Sequence, residues 1–191
     1  MPDVSFVFIK TCFPKQFDRF AFVPSRGASG GLLTVWKSAL FTSNVIFVDV
    51  FALTVSFIST QSSQSWSLVN ICGPCPGDDC EAFTTWLYDV QIPNGQDWLL
   101  LGDFNYMRAP DNRNKPGGNL NDMITFNDII RKQQLIEIPV KAERTHGAIC
   151  NLTPCSNKLI GFLLHYTGPT RILKPWLNHL ANQFLTISLV W

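Results

Sequence analysis

Through the first two-thirds of the chain, apolar residues come in short runs whose period is two more often than 3.6. FDRFAFVPSRGASGGLLTVW, residues 17–36, reads as strand, turn, strand, with Pro24, Gly27, Gly30 and Gly31 as punctuation. VIFVDVFALTVSFIST, residues 45–60, alternates and is rich in β-branched and aromatic side chains, which predicts a strand or a hairpin of strands. The polar cluster Ser59–Ser65 is a hairpin loop, and WSLVNICGP is the next strand, closed by Gly73 and Pro74.

The period then changes. Asp78 and Asp79 open CEAFTTWLYDV, where Phe83, Trp86, Leu87 and Val90 recur at helical spacing. After the turn IPNGQD comes WLLLGDF, a continuous apolar run of the kind that forms a strand buried on both faces. A long polar loop, YMRAPDNRNKPGGNLND, separates it from MITFNDIIRKQQL, whose Met123, Phe126, Ile129 and Ile130 share one face of an amphipathic helix. A strand meander, a helix, a buried strand and a second helix predict an α/β (α+β) domain with sheets covered by helices. From Ala142 to Trp191 neither period holds, and Pro154, Pro169 and Pro175 interrupt each candidate helix. No element can be predicted there, and a boundary falls near Lys141.

Composition narrows the class without choosing a function. With 191 residues, 46% hydrophobic and 15% charged, the chain can bury one ordinary core and is not a disordered polypeptide. Fifteen phenylalanines and six tryptophans point to an aromatic core. A net charge of +1 favours no partner by itself, so a nucleic-acid reading needs a local site. Asp3 and Lys10 in the N-terminal run are unlike a secretory signal. The longest apolar stretch, Val45–Ile58, contains Asp49 and is shorter than the ~20 residues of a membrane span. The expectation is an intracellular protein, nuclear or cytoplasmic, with no membrane partner and no small-molecule cofactor.

Four stretches could carry chemistry. Cys72 and Cys75 frame CGPC, but a redox pair needs its first cysteine at a helix N-terminus, and Pro76 and Gly77 follow. Cys80 extends the set to three, short of the four ligands of a structural zinc site, so free thiols are expected. SRGASGG lacks the Lys-Ser/Thr ending of a phosphate-binding loop and leads into a strand. Arg113 and Lys115 lie in a glycine-rich loop, where solvated charge is the plain reading and contact with a DNA backbone the functional one. In LLLGDFN, alternation predicts Asp103 and Asn105 on one face of a strand's end and Phe104 on the other. An aspartate there can orient or deprotonate a water, and an asparagine can donate to a phosphate oxygen. The plain account is an Asx turn that ends the strand.

The wider pattern favours the functional account. RFAFVPSRGASGGLLTVWKSALF, VNICGPC, LLLGDFNYMRAPDNRNKPGG and NDMITFNDIIRKQQLIEIP resemble the endonuclease/exonuclease/phosphatase superfamily. Within it, they are most similar to the N-terminal endonuclease of plant LINE-type (non-LTR) retrotransposons, over residues Phe17–Val140. The resemblance implies a four-layer α/β sandwich that hydrolyses phosphodiesters with Mg²⁺ and takes DNA as its partner. It implies catalytic roles for Asp103, on the attacking water, and for Asn105, on the scissile phosphate and that water. Cys72 stands where the family has a tyrosine that contacts the phosphate.

Other family motifs are not found. The family opens with a strand bearing an asparagine and a second ending in Gln-Glu-Thr, whose glutamate binds the metal, and it closes with Ser-Asp-His. The resemblance therefore implies that residues 1–140 are a partial domain, missing its N-terminal strands and its C-terminal part, with no metal ligand set retained. Such a loss would leave sheet edges unpaired and apolar faces exposed. Synonymous codons for residues 142–191 can spell, in the neighbouring frame, Tyr-Thr-Trp-Ser-Asn and later Ser-Asp-His beneath Phe184–Ile187. Residues 141–191 thus read as an off-frame tail left by a one-base deletion near Ala142. The expected function is an inactive remnant of a DNA endonuclease. The alternatives are a non-catalytic remnant that binds nucleic acid or protein, and a thiol redox protein built on Cys72 and Cys75.

Overall fold

A computed structural model describes residues 6–25, 31–74, 79–91, 97–110, 119–137, 160–165 and 184–189. A short helix, α1 (Phe6–Cys12), precedes β1 (Arg19–Val23) and β2 (Gly31–Trp36). A hairpin follows, β3 (Phe41–Val48) and β4 (Ala52–Ser59), and then β5 (Ser65–Cys72). Helix α2 (Cys80–Asp89) leads to β6 (Asp97–Asp103), and α3 (Leu120–Lys132) to the two-residue β7 (Ile136–Glu137). Two further strands, β8 (Ile160–His165) and β9 (Phe184–Leu189), complete the described elements.

The strands form two sheets, one of order β1-β2-β9 and one of order β3-β4-β5-β6-β8-β7. Strands β5 and β6 are parallel, joined across α2, and every other pairing is antiparallel. A parallel pair needs such a crossover, because a tight turn cannot return the chain to the same end of the sheet.

Alternation along each strand divides its side chains between two packing layers. Leu32 and Trp36 of the smaller sheet meet Leu53, Val55, Phe57, Trp66, Leu68, Leu99 and Leu101 of the larger one. Phe57 anchors this layer, with its ring 5.4 Å from that of Trp36, 5.5 Å from Phe41 and 4.8 Å from Trp66. The opposite face of the larger sheet offers Val69, Ile71, Trp98 and Leu100 to Phe83 and Leu87 of α2 and to Phe126, Ile129 and Ile130 of α3. The outer face of the smaller sheet, through Leu33 and Val35, is covered by Phe13 and Phe17 from the segment that follows α1. The fold is thus a mixed α and β structure in which the larger sheet lies between two helices, α2 and α3, on one face and the smaller sheet on the other. No helix among the described residues is long and apolar enough to cross a membrane.

Three local outcomes differ from the sequence reading. Helix α3 starts at Leu120, inside the stretch read as loop, because the Asn119 side chain accepts from the N–H groups of Asn121 (2.9 Å) and Asp122 (3.4 Å) and caps it. Asp79 precedes α2 but does not cap it: at φ 59° it lies in the left-handed region, and its side chain makes no capping bond. Strands β8 and β9 fall in the region where the sequence allows no element to be predicted. Each lies along a strand of the core, β8 against β6 and β9 against β2, so its conformation follows from backbone groups already in a sheet. The boundary near Lys141 lies outside the described residues.

Candidate functional site

The parallel strands β5 and β6 run in register to their ends, with Ile71 beside Gly102 and Cys72 beside Asp103. Their approach is close enough to dictate a glycine. A Cβ on Gly102 would sit 2.0 Å from the Ile71 carbonyl oxygen, and φ at this residue is 140°. Asp103 is 9% exposed and belongs, with Leu99 and Leu101, to the register that faces the smaller sheet. Cys72 is half-buried against the same inter-sheet layer. The strand end and the cysteine therefore share one rim of the sandwich.

Beyond Asp103 the chain turns, and Asn105 arrives by a different route from the one alternation predicts. The strand ends at Asp103, and Asn105 adopts φ 58°, a left-handed conformation that asparagine tolerates. Its N–H donates to Asp103 Oδ1 (3.2 Å), its Nδ2 donates to the carbonyl oxygen of Gly73 (2.8 Å), and the Gly73 N–H donates to the carbonyl of Asp103 (2.7 Å). The expectation that the two side chains share a strand face is thus corrected: an Asx turn brings them together. Gly73 is as constrained as Gly102, since a Cβ there would lie 2.3 Å from the Phe104 carbonyl oxygen. Phe104 points to the helix side and is fully buried, its ring 5.7 Å from that of Phe126.

Chemically, the rim offers a carboxylate and a carboxamide with part of its capacity committed. One hydrogen of the Asn105 amide is held by Gly73, which leaves the second hydrogen and Oδ1 for a phosphate oxygen or a water. Cys72 supplies no hydroxyl, and its Sγ lies 3.9 Å from the Gly73 carbonyl oxygen. Magnesium prefers an octahedron of oxygen ligands. Among the described residues no group of three His, Cys, Asp or Glu side chains is placed to hold a metal. Arg113 and Lys115 lie outside the described residues, as does Cys75. Cys12 and Cys80 are free thiols, and Cys72 ends a strand instead of opening a helix.

Supporting contacts lie next to this turn. Tyr106 stacks between Phe83 and Phe126, and its hydroxyl donates to the Cys80 carbonyl (3.0 Å). Burial pushes its pKa up, with Cys80 next in importance, so it is a neutral donor that ties the exit of β6 to α2. Arg108 donates from Nε to Asn127 Oδ1 (2.9 Å) and pairs with Glu137 at 2.6 Å. A groove of about 480 Å³ opens beside Arg108, Asn127 and Arg131, and none of Asp103, Asn105 or Cys72 lines it.

Two participants were missed by the sequence reading. Gly73 acts through its backbone carbonyl, which no residue type announces. Asn70 is fully buried between the sheets and donates from Nδ2 to the Leu33 carbonyl and to Thr34 Oγ1, both at 3.1 Å. Its signal was available: an asparagine at an inward position of the apolar strand WSLVNIC. No protein-family model and no curated protein matches this chain.

Proposed function

We propose that this chain carries the remnant of a Mg²⁺-dependent, phosphodiester-hydrolysing DNA endonuclease, on a four-layer sandwich of the endonuclease/exonuclease/phosphatase type, and that it does not itself cleave DNA. The single observation behind the reading is the position of Asp103. It is a carboxylate at the end of a central strand, on the face between two sheets, with Asn105 bonded to it. That is where the resemblance expects the water and the phosphate to be handled. Loss of cleavage follows from the neighbours: Cys72 cannot supply a phenolic donor, and half of the Asn105 amide is committed to Gly73. Loss of one such donor typically costs about 10²–10³ in rate.

Incubation of the purified chain with supercoiled plasmid in Mg²⁺ tests this directly, and the expected result is no nicked circle. Robust nicking that disappears in Asp103→Ala would overturn the claim of inactivity and leave the assignment of Asp103 standing. Nicking that survives Asp103→Ala would overturn the site itself. Salt-dependent retention of DNA without cleavage would favour a binding role.

A further inference from the structure

We draw no further inference here: the strongest candidate, the groove of about 480 Å³ beside α3, carries nothing because its two guanidinium groups are already paired with carboxylates, Arg108 with Glu137 and Arg131 with Asp128, and nothing in the structure shows what covers its apolar lining of Ile124, Ile130 and Leu135.

Discussion

Two apolar runs in this chain have similar composition and opposite fates. Trp98–Leu101 of β6 is 1 to 6% exposed, whereas Val45–Val48 of β3 is 43 to 54% exposed. Strand β6 has β5 on one side and β8 on the other, helices over one face and the smaller sheet over the other. Strand β3 has one neighbour among the described residues, and Thr42–Val48 are exposed. Hydrophobicity selects for a strand in both cases, but only the position in the sheet decides whether that strand is core. The polar rim at Asp103 and Asn105 depends on the buried run, because a fixed strand end is what holds the two groups in place.

The sharpest way to break the buried side of the comparison is Gly102→Ala. The new methyl would meet the Ile71 carbonyl oxygen 2.0 Å away, in a backbone conformation that disfavours a side chain. The expected loss exceeds about 4 kcal/mol, enough to unfold a marginal domain, and is read as loss of the cooperative urea transition. A matched pair of truncations sharpens the contrast: Leu100→Ala is expected to cost about 2–5 kcal/mol and Ile46→Ala no more than about 0.5 kcal/mol. Equal shifts in the unfolding midpoint would mean that the two runs are equivalent.

Smaller effects test what each region is fastened with. Asn105→Ala removes the bond to Gly73 and a residue suited to φ 58°, for an expected loss of about 1–2 kcal/mol. Asn105→Gly keeps the backbone conformation and should recover part of that loss, so the difference between the two melts isolates the conformational share. Near the entry to β3, Asp18 accepts from the Ser38 N–H (2.8 Å) and hydroxyl (2.6 Å). These bonds hold its carboxyl below the ordinary value of 3.8. The folded pKa lies below the unfolded one, so this stabilisation is present above the ordinary value and is lost as pH falls through the folded value. Ser38→Ala is therefore expected to lower thermal stability near neutral pH by less than about 1 kcal/mol, since the site is half-exposed, and the difference is expected to shrink as pH falls through the folded value.

Much of the secondary structure was legible before folding. The glycine-punctuated pair β1 and β2, the β3–β4 hairpin, β5, α2, β6 and α3 follow from period and breakers, as does the placement of Phe83, Leu87, Phe126, Ile129 and Ile130 in the core. The candidate site was legible in part. Asp103 at the end of a buried strand follows from LLLGD, whereas the orientation of Asn105 does not, because alternation lapses once φ becomes positive. Its hydrogen-bond partner, the Gly73 carbonyl, is 32 positions away in the sequence.

What the sequence determined by itself is local: side-chain period, branching and turn residues set which segments become strands or helices and which face of each is apolar. Adjacency was decided only by the tertiary structure. It brought β5 and β6 into parallel contact so tight that a methyl group cannot fit, left β3 at an edge, and drew β8 and β9 out of a stretch without periodicity. The physical reason is that a strand's backbone groups are satisfied by another strand's backbone, whatever side chains it carries. Order within a sheet is therefore a property of the whole chain's packing, and no short run of residues encodes it.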